Sequence, residues 1–187
     1  SNIFWSNNSI TLDCQGYTIT SSGNSNMIQI IGYNDSTVKN CVLDGEGTDV
    51  GILIIDSDSI EVDSVKIYDI WDGIVISNTP PEDLGPVPLP PFSNHYIHDC
   101  EIYNVAEGIY VEYEDNTRII DNEIYNLAGE VFFDYDDSAR LMSNEIDELY
   151  EATYGYGINI YNSAYMTLSD NIIYNATSNG YGIYISG

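Results

Sequence analysis

Gly108–Asn126 reads GIYVEYEDNTRIIDNEIYN. Its skeleton is GI-x-V, a polar turn, a second short strand, and then D-N-x-I-Y-N. From about Met27 onward the chain is a set of variations on it. The positions matching Gly108 are Met27, Gly51, Gly73, Glu130, Gly157 and Gly182. They lie 22 to 27 residues apart except for one interval of 35. A period of this length is the mark of a solenoid.

The columns of the repeat say more than its spacing. The residue after the Gly position is Ile28, Ile52, Ile74, Ile109, Val131, Ile158 or Ile183. Two further on stand Ile30, Ile54, Ile76, Val111, Phe133, Ile160 and Ile185. Apolar residues at period two mark a strand with those side chains inward. A second strand supplies Val38, Val62, Ile97, Ile119, Leu141 and Leu168. A third supplies Leu43, Ile67, Ile102, Ile124, Ile146 and Ile173. A fifth inward column follows with Ile70, Val105, Leu127, Leu149 and Ala176. One such unit cannot bury its own apolar side chains, whereas stacked units cover one another.

The expected fold is therefore all-β: a right-handed parallel β-helix with three short strands per rung, three sheets and about seven to eight rungs. Between the second and third strands run Cys41, Val65, Cys100, Asn122, Asn144 and Asn171. Stacked inward Asn residues can form a ladder of amides along the axis. An outward column beside it holds Tyr68, Tyr103, Tyr125 and Tyr174, interrupted by Asp147.

The whole chain, 1–187, is read as one domain. Residues 1–26 look like an irregular first rung, with Phe4 and Trp5 expected to cap the open end. Cys14 falls in the same column as Cys41, one rung away. Small apolar thiols stacked in the core are the default reading there, and a Cys14–Cys41 disulfide is the alternative. Cys100 should be free. Residues 79–94, TPPEDLGPVPLPPFSN, contain all six Pro residues of the chain and cannot be a ladder strand. They are read as a loop leaving after the first strand. Shorter insertions, 46–50, 152–156 and 177–181, flank the same strand and would make it the floor of a groove. The sequence ends on GIYISG, midway through its repeat, as expected of a portion of a longer protein or of an end capped by a partner.

Charge narrows the function. Thirty Asp and Glu stand against four Lys and Arg, a net charge of -26 over 187 residues. Such a surface repels nucleic acid and anionic membranes. It suits cation binding, high salt or a cell surface. No apolar run is long enough to cross a membrane as a helix, so membrane insertion is not expected. Seventeen Tyr against four Phe suit half-wet pleated surfaces. Glycosylation sequons begin at Asn7, Asn34 and Asn175, in keeping with an extracellular or cell-surface location.

The repeated GI-x-I … N-x-I-x-N pattern resembles the right-handed parallel β-helix repeat superfamily, nearest its NosD-like carbohydrate-binding and sugar-hydrolysis group. The resemblance runs from about Leu12 to the C-terminus. It implies a surface or periplasmic protein, and it spans lyases, hydrolases, adhesins and surface-layer modules. The polygalacturonase pattern of that superfamily (Asn-Thr-Asp, Asp-Asp, Gly-His-Gly, Arg-Ile-Lys) is absent apart from Asp136-Asp137. Pectate-lyase-like chemistry implies a basic residue near Ca²⁺, yet Arg118 and Arg140 open the second strand, away from the groove. NosD-like proteins are associated with copper-site assembly. Copper wants His, Cys or Met ligands, and His95, His98, Met27, Met142 and Met166 are scattered here, so copper is not expected. His95 and His98 read as surface residues after the loop.

The outward face of the first strand is the candidate site. Its middle column includes Tyr110, Phe132 and Tyr184, and its next column Glu112, Asp134 and Tyr161. Tyr110, Phe132, Tyr161 and Tyr184 are candidate sugar-stacking residues. Glu112 and Asp134, about 5 Å apart on adjacent rungs, would match a retaining glycosidase pair. With Glu114, Asp136 and Asp137 they could instead chelate Ca²⁺. The bland alternative is flat aromatics under a loop, with solvated turn acids. The leading expectation is a non-catalytic structural or adhesive module that contacts other copies of itself or neighbouring surface proteins. A polysaccharide-binding or polysaccharide-degrading module is the alternative.

Overall fold

The computed structural model describes residues 3–23, 25–47, 49–78, 93–149, 156–175 and 181–187. The chain is a parallel β-solenoid. Among the described residues all strands pair in parallel with the strand one rung away, and no helix occurs. The inward columns lie as their period-two spacing requires. Ile28, Ile52, Ile74, Ile109, Val131 and Ile158 are fully buried, as are Val38, Val62 and Ile97. The expected apolar stack is thus one continuous core. Each Ile or Leu in it contributes about 1.5–3 kcal/mol of burial.

The number of sheets differs from expectation. Two sheets form, one of thirteen strands and one of seven. The seven-stranded sheet is the stack of second strands. The third and first strands merge because Lys66–Ser77 and Glu101–Glu112 run unbroken through the corner between them. Asp69 and Asn104 allow this bend by taking positive φ (56° and 53°), a conformation that Asn and Asp tolerate better than most residues. Their side chains also bond along the axis, Asn104 Nδ2 donating to Asp69 Oδ1 at 3.0 Å.

The Gly position at this corner has a steric cause. A Cβ on Gly73 would stand 2.4 Å from the Gly108 carbonyl oxygen and 2.8 Å from Ile102 Cγ2. The rungs approach too closely there for a side chain.

The asparagine ladder forms as expected. Asn122 Nδ2 donates to Asn144 Oδ1 at 3.0 Å, and Asn144 Nδ2 to Asn171 Oδ1 at 2.9 Å. Each amide also donates to a backbone carbonyl one rung back: Ile97, Ile119 and Leu141 in turn. Outside, Tyr68, Tyr103 and Tyr125 stack with centroids 5.1 and 4.9 Å apart.

At the N-terminal end the structure overturns the default reading of the thiols. Cys14 and Cys41 form a disulfide, with Cα atoms 4.8 Å apart, one rung spacing. It closes a loop of sequence separation 27, which in the chain-entropy picture stabilises the fold by about 3.5 kcal/mol. Cys100 is free and buried. Residues 3–22 pair in register with the next rung through all three strands. Trp5 turns into the core while Phe4 is exposed. The Pro-rich stretch lies outside the described residues except for its last two, and so do most of 152–156 and 177–181.

Candidate functional site

The outer face of the first strand collects three axial rows. Asp72 and Glu107 pair along one edge, and Glu130, which stands at the Gly108 position of the next rung, lies near Glu107. Val75, Tyr110, Phe132 and Asn159 form the middle, and Ser77, Glu112, Asp134 and Tyr161 the other edge. In-register parallel pairing produces the rows, because each strand repeats the alternation of its neighbour one rung spacing away.

Tyr110 and Phe132 stack with centroids 5.0 Å apart, tilted by 21°. Both are half-buried. The other two candidate aromatics do not join them. Tyr184 lies beyond Asn159 in the same row and packs on Tyr156. Tyr161 continues the acidic row, paired with Asp134.

The acids of both edges titrate high. Burial pushes Asp72 up to about 7, with the charges of Glu107 and Asp49 adding to it. Burial also raises Glu107, and it raises Glu130 against the pull of an amide bond from Asn159. On the other edge burial and then the charge of Asp134 raise Glu112, opposed by a hydrogen bond from Tyr110. Burial raises Asp134, opposed by Asn162, whose Nδ2 donates to it at 3.3 Å. Tyr110 itself is pushed up to about 12 by burial and by Glu112.

The candidate cation ligands do not share a face. Glu112 and Asp134 point outward, but Glu114 and Asp136 are buried inside the coil. The expectation of solvated turn acids fails for these two. Tyr113 and Tyr135 take positive φ (56° and 52°), which breaks the alternation and turns the next side chain inward. Asp137 is half-buried and accepts from the Ala164 amide at 2.9 Å.

His95 is also corrected. It is fully buried rather than a surface residue. Its Nδ1 accepts the Ile60 amide at 3.3 Å, and Nε2 faces Glu114 Oε2 at 3.4 Å. His98 lies on the outside, one ring stacked on Tyr96. Its Nδ1 meets Asp99 at 2.7 Å and its Nε2 meets Glu61 at 3.3 Å. One ligand atom each from Asp63, His98 and Asp99 lie within 4.8 Å of one another. Bonding to Asp99 and Glu61 raises the His98 pKa, against burial as the largest single effect.

A shallow groove was missed by the sequence reading. Trp71, 69% exposed, lies at the corner before Asp72 and lines it with Ile70, Val105 and Asp69. An exposed Trp next to an outward Asn and Asp row is the signal that could have found it. The sequons at Asn7, Asn34 and Asn175 are on exposed residues.

The described residues do not fit a soft-donor copper site. Two of the three cysteines are bonded to each other, and burial pushes the Cys100 thiol up to about 12. Met27 is sealed in the core. His95 Nδ1 is occupied by a backbone donor, and both ring nitrogens of His98 face carboxylates. Among the described residues no thiolate, thioether and imidazole set gathers as copper prefers.

A family profile described as "Periplasmic copper-binding protein (NosD)" matches residues 4–187. No curated protein and no solved structure gives a match. The chain belongs to the NosD family, and the family's periplasmic placement agrees with a location outside the cytoplasm.

Proposed function

We propose that this NosD-family chain is a non-catalytic adhesive module of the cell exterior that holds a polysaccharide on the outer face of its first strands. The stacked Tyr110–Phe132 pair carries the reading. Two half-buried rings stacked along the axis present their outer edges as an apolar ridge against which sugar rings can pack. The flanking acids, Glu107 and Glu130 on one side and Glu112 and Asp134 on the other, supply acceptors for hydroxyl groups. The net charge of -26 disfavours polyanionic glycans, so neutral or amino sugars are the expected ligands.

The acids argue against hydrolysis. A glycosidase separates its two carboxyl groups by environment, one kept protonated and one ionised. Here burial raises both Glu112 and Asp134. They stand in one row on one side of the aromatic pair.

A glycan array followed by titration calorimetry tests this. The expected result is binding of a neutral or amino-sugar polymer, weakened about tenfold in Tyr110→Ala, equivalent to about 1.4 kcal/mol. Absence of binding across the array would sink the proposal. Loss in Trp71→Ala with Tyr110→Ala unchanged would move the site to the corner groove. Release of reducing ends from the bound polymer would refute its non-catalytic part.

A further inference from the structure

Beneath the outer face, the corner between the first and second strands buries a polar group that the adhesive reading does not use. Glu114, Thr117 and Asp136 are at most 1% exposed. Among the described residues, Glu114 Oε1, Thr117 Oγ1 and both Asp136 carboxylate oxygens lack hydrogen-bond partners. Orphaned oxygens this deep are rare in a folded protein, and each buried carboxylate without compensation is strongly unfavourable.

The other half of Glu114 is well held. Asn78 Nδ2 donates to its Oε2 at 3.1 Å and to the Tyr113 carbonyl at 3.2 Å. His95 faces the same Oε2. Because His95 Nδ1 accepts the Ile60 amide, the neutral ring carries its proton on Nε2 and presents it to Glu114. His95 is thus a positioning residue and offers no lone pair to a metal. Glu114 is fixed by one oxygen while the other is left free.

We infer that this corner binds a hard divalent cation, held by Glu114 Oε1, the Asp136 carboxylate and Thr117 Oγ1. Four of the unpartnered atoms are oxygens, the set that hard cations take and that copper does not prefer, and the fifth, His95 Nε2, carries a proton and faces Glu114 Oε2 at 3.4 Å. One cation answers the four oxygens at once, whereas a proton on Asp136 answers them only through a relay in which Thr117 donates to Asp136 and Asp136 to Glu114. Ala139, also fully buried, is a small residue of the same corner on the Asp136 rung. Binding draws Asp136 toward Glu114 across one rung spacing of about 4.8 Å. This site is distinct from the outward acids Glu112 and Asp134, and it stands or falls separately from the carbohydrate reading. Since the corner is closed, the ion enters as the chain folds.

The test is to refold the full chain with Ca²⁺, with Mn²⁺ or with EDTA. Free metal is then removed, and bound metal and melting temperature are measured. The expected result is about one retained ion per chain and a melting temperature raised by about 5 °C over the EDTA sample. Retention of Mn²⁺ in place of Ca²⁺ also supports the site, with a smaller radius. Asp136→Asn and Thr117→Val should lose the ion, and Asp134→Asn and Asp63→Asn should keep it. Asp136→Asn removes a buried charge, so it should fold and melt higher than the wild type in EDTA. No retained ion in the wild type, retention in Asp136→Asn, or loss in Asp134→Asn would overturn the inference.

Discussion

Two stacks of like residues run along this coil, one inside and one outside, and they behave in opposite ways. Inside, Asn122, Asn144 and Asn171 repeat the same amide one rung after another. Outside, Asp72 and Glu107 repeat a carboxylate. An amide carries both donor and acceptor, so a stack of amides satisfies itself. A carboxylate only accepts, so a stack of carboxylates repels until a proton, a hydroxyl or a cation intervenes. Repetition in a solenoid therefore amplifies whatever the side chain brings. It made the core and ladder stable, and among the outer acids it adds like-charge repulsion to burial in raising Asp72 and Glu112.

The sharpest test turns one stack into the other. Asn144→Asp is nearly isosteric, but it replaces the donor that reaches the Ile119 carbonyl at 2.8 Å with a buried acceptor. We expect a loss of about 3–5 kcal/mol at pH 7 in urea unfolding, with an unchanged slope. Protonation at low pH should recover part of it. A loss under about 1 kcal/mol would mean that the ladder follows the fold without supporting it.

The converse change should stabilise, and less. Burial, with the charges of Glu107 and Asp49 adding to it, pushes Asp72 from its ordinary value of 3.8 up to about 7 in the folded protein. The folded state thus binds more protons than the unfolded chain across that window, and stability falls as pH rises through it. Asp72→Asn should raise the melting temperature by a few degrees at pH 8 and leave it nearly unchanged at pH 4. An equal effect at both values would show that ionisation of the buried Asp72 carboxyl is not the cause.

The smallest expected effect is the most discriminating. Cys100 sits in the ladder column, its amide N–H donating to Asn122 Oδ1 at 3.0 Å and its sulfur meeting the Val62 carbonyl at 3.7 Å. An Asn placed there could donate to Asn122 and to Val62 and accept from the Val65 amide. Cys100→Asn should therefore stay within about 1 kcal/mol of the wild type. A larger loss would show that the thiol end of the column is shaped for sulfur.

The coil was legible because period-two columns survive every substitution among Ile, Val, Leu and Phe. The ladder was legible because Asn122, Asn144 and Asn171 keep their distance from the flanking strands. The aromatic pair was legible for the same reason, since Tyr110 and Phe132 alternate with Ile109 and Val111. Reading failed where the backbone changes hand. Tyr113 and Tyr135 take positive φ, and no side-chain pattern announced that Glu114 and Asp136 would turn inward. His95 follows the Pro-rich stretch, so its phase could not be counted from the strand before it. The merged sheet depended on the bends at Asp69 and Asn104, which retain pairing through a corner that the sequence suggested as a break. The disulfide needed only the adjacency of rungs, which columns show, but its formation over stacked thiols was a choice that spacing leaves open.

One corner differs from the others in its arithmetic. From Val38 to Leu43, Val62 to Ile67, Ile97 to Ile102, Ile119 to Ile124, Leu141 to Ile146 and Leu168 to Ile173 the step is always five residues. Asn40, Ser64, Asp99, Asp121, Ser143 and Asp170 each hold φ between 53° and 57° within it. The first rung alone takes seven residues over this corner, from Leu12 to Ile19; from Val38 onward the length variation, including the 35-residue interval, falls elsewhere. The molecule thus has a fixed-pitch seam and a variable margin. New segments can be grafted into the margin without shifting any rung, and the stretch at 79–94 shows that the natural sequence has already used it. A display scaffold built on this chain should place its cargo accordingly.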